Sequence, residues 1–465
     1  MAEPAKFLQG SLFRHIAVMS VTSSVGLMAV FAVDFVDMIF IAMLGKAELA
    51  AAVGYAGAIL FFTGSFGIGM AIASGALVAR ALGAGDDALA RRRATSSLVL
   101  GFLFGAVFAA IVWVNIAPLV SLLGASGETR DLAVHYMRIV LPSLPVLLVG
   151  VVGGAILRAH GDARRSMNVL ILGGLVNAVL DPILIFGLDL ELTGAALASI
   201  AARFTIAGLA LSAIQRFHGG FGRPGARGIA ADIRPVFAIA LPAILTQLAT
   251  PVGQAYVTRA MAEYGEEAVA GMAIVGRLTP VAFAIIFALS GAVGPIIGQN
   301  AGARNTERVT RAFREALLFT AGVTILVSVI LFLLRGPLEW LFQLQDADIA
   351  RTLVFLFAGP LSLMWFFNGV IFVSNAAFNN LGHPFYSTLT NWGRHTLGTI
   401  PLVILFSAWM GAPGVLIGQA VGGVLFAGVS LMLARRVMAD IDGTRAEPDP
   451  FQRHQRIFQV FQHRR

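Results

Sequence analysis

The sequence predicts an all-α polytopic membrane protein of twelve spanning helices, arranged as two halves of six. Three observations carry that prediction. Only 12% of the 465 residues are charged and 57% are hydrophobic, with a mean hydropathy of +0.82; soluble chains carry about 25% charged residues. Apolar runs long enough to span a bilayer recur along almost the whole chain. The charges between these runs alternate, base-rich on one side and base-poor on the other.

A spanning helix needs about 20 mostly apolar residues. Such runs lie at roughly 16–44, 51–82, 96–124, 131–158, 166–188, 192–214, 235–262, 267–302, 312–334, 349–380, 385–409 and 412–436. Several are longer than a bilayer requires, so tilt, kinks or protruding ends are expected. The polar start MAEPAKFLQGSLFRH, followed by an overlong apolar run, is not read as a cleavable signal. DDALARRR (86–93), LRAHGDARR (157–165), RPGARGIAADIR (223–234), ARNTERVTRAFR (303–314) and the basic tail fall on one side. GKAE, GETRD, DLEL and EYGEE fall on the other. The positive-inside rule then puts both termini in the cytoplasm. The net charge of +8 is a topogenic signal, with lipid contact as a secondary effect, rather than a sign of nucleic-acid binding. The tail FQRHQRIFQVFQHRR (451–465) reads either as an amphipathic surface helix or as a disordered basic segment.

The halves repeat at an offset of 219 to 221 residues. LGKAELAAAVGYAGAI (44–59) echoes YGEEAVAGMAIVGRL (264–278), LVARALGAGDDALARR (77–92) echoes PIIGQNAGARNTERV (295–309), and LRAHGDARRSM (157–167) echoes NNLGHPFYSTL (379–389). Six spans per half is an even number, so both halves start on the same side and form a parallel repeat.

No enzyme constellation emerges. Cysteine is absent, GxxxxGK[ST] is absent, and the eight histidines show no HxxxH or HExxH spacing, so neither ATP hydrolysis nor a metal site is expected. GFGRPG and GSFGIG are glycine-rich but lack a Rossmann context.

The chemistry lies in the acids. FAVDFVDMIFIAMLG (31–45) places Asp34 and Asp37 inside an apolar helix, three residues apart on one face. A membrane acid costs roughly 2.5–3.5 kcal/mol and faces a partner or a cavity. Asn177 and Asp181 share a face in the fifth span. Asp37 lies seven residues before the end of the first span, Asp181 seven before the end of the fifth, and Ser199 seven into the sixth. All three are thus roughly 10 Å below one membrane surface, where a single polar pocket can form. Pro182 lacks an N–H and frees the carbonyl of Ala178, a bend beside that pocket. Carboxylates gathered at low dielectric cannot all stay ionised, so the pocket is expected to exchange a proton as a coupled group. The alternative for each acid is structural hydrogen bonding between helices. Asp34 belongs either to the pocket or to a surface that attracts cationic substrate.

In the second half, Gln247, Thr250, Gln254 and Tyr256 lie in the seventh span, and Asn368 and Asn375 in the tenth. They either line a substrate cleft or bond helices together. Arg203 and Arg394 sit too deep to snorkel, so each is expected to have a partner; an Arg203 beside the acids would keep them ionised. Phenylalanines such as Phe61, Phe62, Phe66, Phe283, Phe287, Phe366 and Phe367 suit flat cationic drugs, although core or lipid-facing packing explains any one of them.

Several segments resemble the multidrug and toxic compound extrusion (MATE) family: VDMIFIAMLGKAELAAAVG (36–54), LRAHGDARRSMNVLILGGLVNAVLDPILIFG, GAALASIAAR, PIIGQNAGARN and NWGRHTLGTIP. The similarity covers about residues 10–436, and Asn177-x-x-x-Asp181-Pro182 is its most specific piece. The resemblance implies two six-helix lobes forming a V-shaped central cleft, N-lobe 16–214 and C-lobe 235–436, joined by a cytoplasmic linker 215–234. Cytoplasmic segments 1–15 and 437–465 flank them. It implies export of drugs and organic cations in exchange for protons or sodium, with Asp37, Asn177, Asp181 and Ser199 as cation-coupling residues. Ser199 stands where the family often has threonine, and Val33 where some members have tyrosine. The repeat mates of Asp37 and Asp181 fall near Tyr256 and Ile400, and the second half has no central carboxylate. That favours the DinF-type branch, with coupling confined to the N-lobe. The expectation is a monomeric, proton-coupled exporter of small drug-like molecules in a bacterial inner membrane, without cofactor or metal. Sodium coupling through the same pocket and a lipid-linked oligosaccharide flippase are the alternatives.

Overall fold

The computed structural model describes residues 5–443; the surface helix considered for 451–465 lies outside the described residues. The first half holds a short 3-10 turn at Lys6–Leu8, then α1 (Leu12–Met43), α2 (Ala47–Gly83), α3 (Asp87–Val114), α4 (Ile116–Leu122), α5 (Gly127–Val140), α6 (Leu144–Ala159), α7 (Ala163–Pro182) and α8 (Glu191–Phe217). The second holds α9 (Ala226–Ala262), α10 (Glu266–Ala282), α11 (Ala284–Gly302), α12 (Thr306–Leu333), α13 (Arg335–Leu341) and α14 (Asp348–Phe357). It closes with α15 (Pro360–Asn380), α16 (Pro384–Gly393), α17 (Ile400–Met410) and α18 (Ala412–Gly443).

Helix starts follow local chemistry. The Asp86 carboxylate accepts the Leu89 N–H at 2.8 Å and opens α3. Asp162 does the same for α7 through Arg165 N–H at 3.1 Å, and Asn305 for α12 through Arg308 N–H at 3.0 Å. Each satisfies an orphan donor of the first turn. Asp86 and Asn305 are repeat mates, 219 residues apart. The residues before them, Gly85 and Arg304, both adopt left-handed backbone, at φ 74° and 56°. The turn is kept even where the glycine is not.

The chain forms two compact units. One comprises Thr22–Leu82 and Asp86–Ala240. Its core gathers Leu49, Ala52, Ala56, Met137, Val140, Leu141, Leu144, Leu148, Ile185 and Ala196. Helix α9 begins at Ala226, inside the stretch read as a linker. Its first turns belong to this unit, tied by Asp232, which accepts two bonds from Arg92 (2.8 and 3.1 Å) and one from Ser96 (2.7 Å). The other unit comprises residues up to Val21, Gly83–Gly85 and those from Leu241 onward. Here Phe7 N–H donates to Gln299 Oε1 at 2.8 Å, and Arg308 Nη2 donates to the Phe7 carbonyl at 3.0 Å.

Eleven helical stretches among the described residues are long and apolar enough to cross a membrane. The remaining expected run, 385–409, is broken: α16 ends at Gly393, a π-helical turn occupies Arg394–Gly398, and α17 resumes at Ile400. Pro401 cannot donate to the carbonyl of Leu397, and the Thr399 hydroxyl bonds back to the Arg394 carbonyl at 2.8 Å. What seats this broken segment is α18. Gly414, Gly418 and Gly422, four apart on one face, abut the backbones of Phe406, Leu402 and Gly398. A Cβ at Gly418 would lie 2.6 Å from the Leu402 carbonyl oxygen. Small residues let helix backbones meet where lipid offers no hydrophobic driving force. Gly418→Val is expected to destabilise the protein by about 1–3 kcal/mol. Gly423→Ala, at a position with open space around it, is expected to leave thermal unfolding in detergent unchanged; equal melting of the two variants would refute this packing.

At the ends of α6, α7 and α8, His160 lies 4.6 Å from the His218 ring, His218 Nε2 is 3.0 Å from Asp162 Oδ2, and the Arg165 guanidinium sits 3.7 Å over Phe217. Burial opposes ionisation of Asp162, but bonds from His218 and Arg165 outweigh it and hold its carboxyl below the usual range. Burial pushes His160 down to about 4 from 6.5. The unfolded chain therefore takes up this proton first as pH falls, and stability is lost between those two values. The melting temperature is expected to drop from pH 7 to pH 5, and His160→Asn to flatten part of that slope.

Candidate functional site

Helices α1 and α7 bring two of the three predicted acids, Asp37 and Asp181, together around Asn177. Asn177 and Asp181 are one turn apart on α7, and both are buried, at 4% and 0% exposure. The Asn177 amide donates one hydrogen to Asp37 Oδ1 at 2.8 Å and the other to Asp181 Oδ2 at 2.9 Å. One side-chain amide thus serves two carboxylates on different helices. Those carboxylates are neighbours joined through that amide, and Asp181 Oδ1 is buried without a partner among the described residues. No lysine or arginine lies within ion-pair distance of either acid among the described residues. A group with this many acceptors and this few donors has room for a proton or a small cation.

Immediately after Asp181, Pro182 ends α7 and the chain passes into a π-helical turn, Ile183–Gly187, closed by Leu188 N–H to the Ile183 carbonyl at 2.9 Å. The expected bend is therefore a change of helix type beside the acids. Ser199 on α8 is half-buried and lies beside Tyr136 on α5. Tyr136 is buried at 8% exposure. Sequence reasoning missed it, although it is one of only five tyrosines. A phenol deep inside a span needs a partner, and that was the available signal. Asp34, one turn before Asp37, is exposed and outside the hydrogen-bonded group.

Arg203 does not pair with the acids. Its Nη1 donates to the Val140 carbonyl at 3.1 Å and to Ser143 Oγ at 2.8 Å, so its partners are α5 and the turn after it. Arg394 starts the π-helical turn before α17, and its guanidinium makes no hydrogen bond among the described residues. Of the second-half residues, Gln254 accepts from Gln419 at 3.5 Å, Asn375 accepts from Asn391 at 3.2 Å, and Tyr256 donates to the Ile400 carbonyl at 3.5 Å. Asn368 Oδ1 is buried without a partner, and Gln247 is half-buried. The repeat mates of Asp37 and Asp181 fall near Tyr256 and Ile400. The same two backbone positions meet in each half, with an acid pair in one and a tyrosine and a carbonyl in the other. Phe283 is core, stacked on Trp365 at 4.7 Å, whereas Phe61 and Phe62 are exposed.

A polytopic helical bundle built on a repeat, with titratable groups inside one half, defines a membrane transporter rather than an enzyme. The MatE family pattern matches residues 23–183 and again 242–405, two copies whose starts are 219 residues apart. The chain belongs to the MatE family of transporters. It is similar to the FAD transporter of Shewanella oneidensis, 28% identical over 455 residues, covering 95% of this chain and 98% of that one. It is also similar to the multidrug export protein MepA of Staphylococcus haemolyticus, 25% identical over 413 residues, covering 88% and 90%. A crystal structure of a mutant MATE transporter from Vibrio cholerae superposes with a TM-score of 0.87 at 23% identity, over 95% of this chain and 98% of that one, and it shares the fold.

Asn177→Leu removes the donor that both carboxylates share. It is expected to destabilise the protein by about 1–3 kcal/mol, read as thermal unfolding in detergent. Adding Asp181→Asn, which supplies an amide in place of the orphaned acid, is expected to recover at least half of that loss.

Proposed function

We propose that the chain is a secondary active exporter in which the Asp37–Asn177–Asp181 group binds the coupling proton. The observation that supports this is the single amide shared by two carboxylates, one of them with a buried, unpartnered oxygen. A proton between Asp37 and Asp181 supplies the missing donor and removes their mutual repulsion. Its arrival and departure change how α1, α7 and α8 pack, with the π-helical turn after Pro182 as the compliant element. Ser199 and Tyr136 complete the polar wall, and Asp34 adds negative charge at an accessible position. Alternating access follows when the protonated and unprotonated pockets favour different states, since binding shifts such an equilibrium only by its difference in affinity.

In this reading both termini are cytoplasmic, residues 16–214 and 235–436 form the two lobes, and the protein works as a monomer in a bacterial inner membrane. The second half has no central acid, which supports the DinF-type branch with coupling in the first half alone. The substrates are drug-like organic cations. A second reading, FAD as cargo, is supported by the full-length similarity to the Shewanella oneidensis FAD transporter.

The test is efflux of a fluorescent cationic dye from proteoliposomes, driven by a pH gradient or by a sodium gradient. The pH gradient is expected to drive wild-type transport, and Asp37→Asn to lower it at least tenfold. Transport driven by sodium alone makes the pocket a sodium site, and normal transport by Asp37→Asn removes the pocket from the mechanism. FAD that is carried when the dye is not decides for the second reading.

A further inference from the structure

A cavity of about 540 Å³ opens between the end of α12, the short α13 and the start of α14, lined in part by Arg335, Asp348, Arg351, Thr352 and Phe355. Its volume is that of a small-molecule site, and it lies within one compact unit, apart from the acid group on α1 and α7.

The two arginines are held rather than loose. Arg335 Nη2 donates to the Phe355 carbonyl at 2.8 Å, and its guanidinium lies 4.5 Å over Phe332 and 5.6 Å over Phe355. Arg351 lies 5.3 Å over the same Phe355 ring and pairs with Glu339 at 2.8 Å. Gly359 leaves the space Arg335 occupies, because a Cβ there would collide with its guanidinium. Arg335 Nε is buried and unpartnered. Two guanidiniums fixed around one ring repel each other, and their planar donors match a phosphate.

One turn before Arg351 on α14, Asp348 is not needed to start its helix. The first amides of α14, from Ile349 and Ala350, already donate to Glu267 at 2.6 and 3.2 Å. The Asp348 carboxylate forms no ion pair among the described residues and is exposed. Opposite charges thus line one opening. On the adjoining end of α12 and on α13, Leu333, Trp340 and Leu341 are exposed, at 71%, 74% and 61%. An exposed tryptophan among leucines at the end of a spanning helix marks the membrane interface.

We propose that this cavity binds the zwitterionic headgroup of a phosphatidylethanolamine-type phospholipid. The phosphate sits on Arg335 and Arg351, the ammonium sits on Asp348, and the acyl chains run along Leu333 and Leu341. The charges set the class. A purely anionic headgroup meets Asp348 unfavourably, and the exposed apolar rim favours a lipid over a soluble phosphoester.

Native mass spectrometry of the full-length protein in detergent tests this, with dioleoylphosphatidylethanolamine, dioleoylphosphatidylglycerol and soluble glycerophosphoethanolamine as probes. Wild type is expected to bind the ethanolamine lipid at least threefold more tightly than the glycerol lipid. Arg351→Gln is expected to weaken the ethanolamine lipid at least fivefold, and Asp348→Asn to abolish the preference between the two. Asp348 is exposed with its helix start capped elsewhere, so Asp348→Asn decides the matter even if Arg351→Gln does not fold. A wild type without the preference, or an Asp348→Asn variant that keeps it, overturns the proposal. Glycerophosphoethanolamine bound as tightly as the lipid makes the cavity a site for a soluble phosphoester and also overturns it.

Discussion

The Asn177 amide, held between Asp37 and Asp181, is the constraint on which the functional half of the protein depends. A carboxylate surrounded by aliphatic side chains persists only with a hydrogen-bond donor, a countercharge or a proton. This bundle gives its two acids one amide with two hydrogens, and no cationic side chain among the described residues lies in ion-pair reach. The nearby arginine that would have neutralised them is engaged by Val140 and Ser143 instead. Everything else about the region follows from keeping that group together. Asn177 and Asp181 must lie one turn apart on α7, α1 must approach within hydrogen-bonding distance, and the helix must change type directly after Asp181.

The repeat shows how one backbone plan carries two chemistries. Positions 37 and 181 meet in the first half, and positions 256 and 400 meet in the second. The proline after the second position is also kept, as Pro182 and Pro401. The second half lacks acids there, so its pair is a phenol on a backbone carbonyl, which ties the helices together. Duplicate architecture with unequal side chains places an acid pair in one half and a tyrosine on a backbone carbonyl in the other.

Packing in the second half relies on absence of side chains as much as on their presence. The α17–α18 contact is backbone against backbone through Gly414, Gly418 and Gly422, which accommodates a helix already interrupted by a π-helical turn. Polar residues that a reading of the sequence offers as cleft lining, Gln254, Tyr256 and Asn375, bond neighbouring helices here. A polar side chain in a span is satisfied first by whatever helix lies nearest.

Composition, apolar run length and charge alternation by themselves determined that this is a many-spanning helical membrane protein with a duplicated plan, because lipid leaves a chain few other ways to satisfy its backbone. Spacing alone also put Asp37, Asp181 and Ser199 at one depth, since a helix rises by a fixed amount per residue. Rotation about each helix axis is not written in spacing, and that is what the tertiary structure decided. It turned Asp37 toward Asn177 while leaving Asp34 exposed, gave Arg203 to α5, brought in Tyr136, and broke the 385–409 run where Pro401 and the glycine face of α18 meet. Hydropathy reports how deep a residue lies; only packing determines which neighbour it faces.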